Sequence, residues 1–321
     1  MNQFTSFKIN RSKIIDNVLS DLFSLKKTGY VANSYAIDEN IIFFKAIKSF
    51  SGYIKWLFGR APKIDGQKLL ELTDFSLSNL PKWEIQMHKE LISLEKKKFP
   101  GLIEPLVDRI LNIIISSNKS LIVADFGSGG IEVVRQVIIR LVYNNYKHKV
   151  TFVGIDLSDA AHEVALENLQ KLKENHIIDV FRIEKLDKQI LNRLISTGNE
   201  QYKVILCKND LFKLSDYFSE HFFDVIFHSL FKHHFNVRDK ERVELVSERY
   251  GKIVLEYDGY KSWPHIIIPH ALTGWRDPVF LNATIFSDLR YSTRREIRKA
   301  TRKGHLRFFK IGTYLLEKNE P

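Results

Sequence analysis

The chain has 321 residues, 44% of them hydrophobic, a formal net charge of +11 and a single cysteine. That length suits one large core, or a core with a smaller helical unit, and the lone Cys207 excludes an internal disulfide or a zinc site built on several thiolates. No apolar run reaches the ~18 to 20 residues of a membrane span, because Ile110 to Ile115 is short and Val133 to Val142 is broken by Arg135 and Arg140.

The opening segment has no long apolar stretch and carries Asp16 and Asp21, so a secretory or transit signal is not expected and a cytoplasmic location is. Residues 1 to about 118 show helical periodicity. Ile14, Ile15, Val18, Leu19 and Leu22 form one stripe, and Ile41 to Phe58 form a more aromatic one. Ala61-Pro62-Lys63-Ile64-Asp65-Gly66 reads as a joint, and Phe99-Pro100-Gly101 as a second break. Leu102 to Ser116 then reads as an amphipathic helix. Within this front end, Phe43, Phe44, Phe50, Tyr53, Trp56 and Phe58 suit a helical core, with the lid of a substrate pocket as the alternative.

From Leu121 onward, apolar runs alternate with helical segments, the pattern of repeated β-α units and a largely parallel sheet. Strands are predicted at 121–126, 150–155, 203–208, 223–228 and 251–257, with a further short one over 177–181. Helices are predicted at 130–144, 160–174, 184–196 and 237–248. Cys207, inside the apolar run KVILC, is expected to be a buried strand residue.

The first strand ends in LIVADFGSGGIEVVRQV, where Asp125 precedes a turn containing Gly127, Ser128, Gly129 and Gly130. Glycines let a backbone approach a ligand closely. A dinucleotide fingerprint counted from Gly127 would place its third glycine at residue 132. That position is Glu132, an acid facing the place of a pyrophosphate. Asp125 instead suits a ligand with an ammonium group. VTFVGIDLS ends the next strand at Asp156, followed by Leu157, and a carboxylate there can accept from a ribose diol. VILCKNDLF brings Asn209, Asp210 and Leu211 to the tip of another strand, with Asp210 placed for an adenine amine. FFDVIFHSL delivers His228 and Ser229.

In order and in most spacings these elements resemble the consecutive motifs of class I S-adenosylmethionine-dependent methyltransferases, over about residues 105 to 321. The resemblance implies an α/β Rossmann-like methyltransferase sheet flanked by helices (119–321), preceded by an N-terminal helical domain (1–118) serving as lid, substrate or dimerisation element. It implies S-adenosyl-L-methionine as cofactor, with Asp125 near its amine, Gly127, Ser128 and Gly129 beneath it, Asp156 and Leu157 at the ribose, Asn209, Asp210 and Leu211 around the adenine, and His228 at the edge. Two features depart from the family. Its frequent third glycine is Ile131 here, and the stretch between the second and third motifs is longer.

HSLFKHHF supplies three histidines after the fourth strand. An imidazole suits the removal of a proton from a hydroxyl acceptor, and His233 is the preferred base, with His228 and His234 as alternatives and packing beneath the sheet edge as the competing role. No metal site is expected. IVLEYDGY reads as a fifth strand ending at Glu256 to Asp258, and the segment beginning PHALTGWRDP resembles the C-terminal part of quinone-biosynthesis and polyketide-associated methyltransferases. Thr293 and Glu296 form a capping box for a helix over 294–303, stopped by Gly304. Its Arg294, Arg295, Arg298, Lys299, Arg302 and Lys303 read as a solvated basic face, with an acidic surface or nucleic acid as the alternative. A small-molecule methyl acceptor and a homodimer are the expected partners. An RNA or protein methyltransferase and a non-catalytic cofactor binder are the competing readings.

Overall fold

The structure is a computed structural model describing residues 11–27, 34–69, 101–184, 188–197, 200–216, 218–261, 275, 278–301, 304–309 and 312–319. The chain divides into two compact units, one of Met1–Trp83 with Lys261–Thr293, the other of Glu84–Tyr260 with Arg294–Pro321.

In the first unit, α1 (Arg11–Lys27), α2 (Ser34–Ala46), α3 (Phe50–Gly59) and the short α4 (Gly66–Leu69) gather around their apolar stripes. The helix Pro278–Arg290 contributes Leu281, Ile285 and Phe286 to the same core. Ser49 caps α3 by accepting from the Gly52 N–H at 3.1 Å. Phe43, Phe44, Tyr53 and Trp56 lie in this core, whereas Phe50 and Phe58 are 56% and 64% exposed. The buried Glu39 is neutralised by a two-pronged bond from Arg60, at 2.9 and 2.7 Å.

The second unit begins with α5 (Glu104–Ser117) and continues as β1 (Leu121–Phe126), α6 (Glu132–Tyr143), β2 (Val150–Asp156), α7 (Asp159–Glu174), β3 (Ile178–Ile183), α8 (Lys188–Ser196), β4 (Tyr202–Lys208), β5 (Phe223–Ser229), α9 (Val237–Tyr250) and β6 (Gly251–Gly259). After the excursion into the helical unit, where Pro278–Arg290 is α10, come α11 (Arg294–Ala300), β7 (His305–Phe308) and β8 (Thr313–Asn319). The reading from sequence ended the helical front end at 118. The helix Glu104–Ser117 instead shares the sheet's core, with Leu106, Val107 and Ile110 packed among Val123, Val134 and Phe152.

The eight strands run in the order β3-β4-β2-β1-β5-β6-β8-β7, parallel from β3 to β6 and closed by the antiparallel β8 and β7. Around β1 the connections change direction, which is the Rossmann-like arrangement with its crevice at the carboxyl end of the central strands. The fold is therefore the expected α/β class, a Rossmann-like sheet flanked by helices.

Alternation sorts the strand residues by face. Val123, Phe152, Val225 and Phe227 face α5, α6 and α7, while Ala124, Phe126, Val153, Ile155, Ile205, Cys207 and Ile226 form the core of the opposite face. Burial pushes the Cys207 thiol up to about 12.

The predicted strands fall on observed ones, including the short one, observed at Ile178–Ile183. The hairpin of β7 and β8 was not predicted. Of the helix expected over 294–303, Arg294–Ala300 is observed, and residues 302 and 303 lie outside the described residues, as do Phe99, Pro100 and residues 269–274, 276 and 277 of the segment beginning PHALTGWRDP. No helix among the described residues is long and apolar enough to cross a membrane.

Candidate functional site at the carboxyl edge of the sheet

Asp125, one residue before the end of β1, shares a face with Val123 and is 3% exposed. Its Oδ1 is buried without a hydrogen-bond partner. Burial, and then the nearby charge of Asp156, hold its carboxyl well above the usual carboxylate range. A buried, unanswered acid of this kind costs stability unless a donor arrives to meet it.

The turn that follows is built by positive φ at Gly127 (71°), Gly129 (48°) and Ile131 (57°). Ile131, where the resemblance noted from sequence would place a glycine, adopts the left-handed conformation a glycine would take, which is costly for a β-branched side chain. Its side chain is 1% exposed within the sheet's core, so burial offsets the backbone cost. Ser128 is also buried, with Oγ unpartnered.

Asp156 stitches this region together, its Oδ2 accepting from Gly129 N–H and its Oδ1 from Ser158 N–H, both at 2.9 Å. Its backbone oxygen accepts from Asn209 N–H at 3.2 Å, which ties the ends of β2 and β4. Leu157 beside it is 64% exposed. Glu132 occupies the first turn of α6, held by Arg135 at 2.8 and 2.5 Å. A carboxylate therefore sits at the helix N-terminus where a dinucleotide enzyme would hold phosphate.

At the end of β4, Asn209 Oδ1 accepts from Asp210 N–H at 2.9 Å, and Asp210 Oδ1 accepts from Phe212 N–H at 3.0 Å, capping the turn Leu211–Asp216. Asn209 Nδ2 is buried without a partner. Leu211 points into the core of the face opposite Asp125 and is 6% exposed. His228 lies on that opposite face as well, since Phe227 is the β5 residue in register with Asp125. It is buried, with Nδ1 unpartnered, beside a small cavity lined by Glu244, Glu248, Glu256 and Lys318. Burial lowers its pKa, and the surrounding charges only partly compensate. Asp125, Gly127, Ser128, Gly129, Asp156 and Leu157 thus come together at one crevice, with Asn209 and Asp210 bordering it, while Leu211 and His228 turn to the other side.

The histidine preferred from sequence is firmly held. Asp258, 2% exposed at the end of β6, accepts from the backbone N–H of His233 through Oδ2 and pairs with its Nδ1 through Oδ1, both at 2.9 Å. Burial would raise the Asp258 carboxyl, but His233 and the N–H groups of Gly259 and His233 bring it below its ordinary value. A carboxylate on Nδ1 orients the ring and favours a proton on Nδ1. His234 is exposed and stacks on His233 at 4.1 Å. The same turn is anchored by Lys232, whose Nζ reaches Glu244 and, at 2.9 Å, Glu256. Burial lowers the Lys232 pKa, yet Glu256 and Glu244 leave it raised.

Asp258 received no role from the sequence, although the rule that found Asp125, an acid at a strand's carboxyl end, applies to it equally. Phe231 was also passed over. A Cβ on Gly127 would overlap the Phe231 ring, so the two are in direct contact. Nothing in the sequence spacing signals that packing.

No protein-family model matches the chain, and no curated protein does. Among solved structures it is similar to magnesium protoporphyrin IX methyltransferase from Synechocystis, solved with bound SAH (13% identity, 68% of this chain and 84% of that one, TM-score 0.40). It is similar, too, to a SAM-dependent methyltransferase from Aquifex aeolicus (14%, 70% and 95%, TM-score 0.42). A Rhodobacter sphaeroides protein described as a zinc-dependent alcohol dehydrogenase matches as well (11%, 67% and 90%, TM-score 0.37). The chemistry is assigned below from the side chains.

Proposed function

We propose that this chain is an S-adenosylmethionine-dependent methyltransferase that methylates a hydroxyl group of a small molecule, with His233 as general base. The observation that carries the cofactor is Asp125, a buried carboxylate with an unpartnered oxygen beside a glycine turn. It asks for a cationic donor, and the ammonium of the cofactor's amino-acid portion supplies one. Asp156 at the neighbouring strand end fits the ribose. Glu132 at the α6 N-terminus opposes a pyrophosphate.

When bound, the cofactor supplies an electrophilic methyl group on a sulfonium. The chain's own work is positioning and proton management. In-line placement of the acceptor oxygen behind the methyl carbon carries much of the rate. The proton of the acceptor hydroxyl would pass to His233. Asp258 holds the ring and stabilises its charged form. The dyad supports an acceptor that must lose a proton.

Titration calorimetry with S-adenosylhomocysteine tests the cofactor, and absence of binding at high micromolar ligand sinks the reading. For the base, His233→Gln at saturating acceptor should lower kcat by about 10² to 10⁴ while leaving S-adenosylhomocysteine affinity within about threefold; unchanged turnover removes His233 from the mechanism.

A further inference from the structure

The atoms of the proposed cofactor have a fixed order: ammonium, a short aliphatic chain, the sulfonium, then the ribose. With the ammonium on Asp125 and the ribose on Asp156, the sulfonium must cross the turn between them, at Gly127 to Gly129. The side chain that abuts this turn is Phe231, whose ring lies against Gly127 so closely that a Cβ there would overlap it.

The ring is held in place by the fold. Leu230, with a left-handed φ of 51°, reverses the chain just before it and donates its N–H to Tyr257 O at 2.7 Å. Phe235 packs edge-on against the ring at 4.8 Å and 75°, and the Phe231 carbonyl accepts from His234 N–H at 3.0 Å. Phe231 remains half-buried. A left-handed leucine is costly and is kept only where its neighbours enforce it. Here it sets an aromatic ring beside the glycine turn.

A sulfonium carries positive charge but no N–H or O–H to donate, and the two acids of the crevice are committed to the ends of the ligand. An aromatic ring is a suitable partner for such a cation, as in the aromatic cages that hold quaternary ammonium groups. We propose that Phe231 is the sulfonium-facing wall of the site and a specificity-determining residue, favouring the cationic S-adenosylmethionine over its neutral thioether product. The consequence is functional, because a wall that prefers the charged form weakens retention of the product and relieves product inhibition.

This inference rests on the methyltransferase reading, and the experiment separates the two. Dissociation constants for S-adenosylmethionine and S-adenosylhomocysteine are measured on the wild-type chain, Phe231→Leu and Phe231→Tyr, each checked by thermal unfolding. Phe231→Leu should lose affinity for S-adenosylmethionine roughly 3- to 30-fold more than for S-adenosylhomocysteine, and Phe231→Tyr, which keeps the π face, should retain the wild-type ratio. An unchanged ratio in Phe231→Leu overturns the proposal, as does equal tightening of both ligands, which would mean that the ring stands in the ligand's space. If Phe231→Leu does not fold, a Phe231→Tyr ratio shifted toward the product overturns it. Failure of the wild-type chain to bind either ligand overturns the methyltransferase reading, and this proposal with it.

Discussion

Asp125 links binding, pH and stability through one proton. Its carboxyl is pushed up by burial and by Asp156, so the folded chain keeps this proton at pH values where an unfolded chain has released it. Stability therefore falls as pH rises from the ordinary aspartate range through the raised value. The ligand's ammonium needs the ionised form, so affinity rises with pH across the same window and binding expels a proton. Two outcomes follow for Asp125→Asn. Affinity for S-adenosylhomocysteine should fall about 10- to 100-fold, the worth of a charge-assisted hydrogen bond, while the melting temperature of the ligand-free protein stays level or rises. Loss of both would make Asp125 a structural residue. Calorimetry in two buffers of different ionisation heat measures the proton directly. Ile131 offers a second test at this scale. Ile131→Ala loses buried apolar surface and keeps the left-handed strain, whereas Ile131→Gly loses slightly more surface and sheds the strain, worth about 1 to 2 kcal/mol. Denaturant unfolding should therefore find the glycine variant the more stable, the reverse of the order inside a helix.

Between elements, the decisive join is the one from β6 to the turn after β5. Asp258 grips His233 by ring and backbone together, so Asp258→Asn removes the charge that favours the imidazolium and disturbs the tautomer. The expected result is a fall in kcat of about 10² or more and an acidic limb of the pH–rate profile moved to lower pH, with S-adenosylhomocysteine affinity preserved. A purely structural clasp would lower cofactor affinity and stability together and leave that limb in place. The strands and the acids at their ends could be read before any coordinates, but not this clasp, because Asp258 was given no role. The strands are dense apolar runs, and acids at their carboxyl ends mark the crevice of an open α/β sheet. Facing was less legible. His228 follows an apolar residue just as Asp125 does, and only the register between strands shows that it turns to the other side. The β7 and β8 hairpin stayed hidden because His305–Phe308 is four residues long, alternates basic with apolar, and follows a highly charged helix. Ile131 could not be read as a turn residue, because the left-handed demand comes from the loop's path and not from its own side chain.

At the scale of the molecule, periodicity locates helices but does not say which core each one joins. Glu104–Ser117 looks like a continuation of the helical front end, yet its stripe of Leu106, Val107, Ile110 and Ile114 is buried with the sheet. Pro278–Arg290 lies far along the chain, yet packs Leu281, Ile285 and Phe286 among Phe43, Phe44 and Trp56. The sheet unit owns Asp125, Asp156, Asn209, His233 and Asp258, and the helical unit closes its own aromatic core. Two cores of this kind lead us to expect two calorimetric transitions, and linkage decides which of them a ligand moves. A ligand bound only to the folded sheet unit stabilises it by about 2.7 kcal/mol at a hundred times its dissociation constant. For a unit of roughly 200 residues that is an upward shift of about 5 to 10 °C. S-adenosylhomocysteine should therefore raise one transition and leave the other in place, and Asp125→Asn should abolish the shift. A single transition that moves as a whole would show that the two cores melt together, and no movement at saturating ligand would count against the cofactor site.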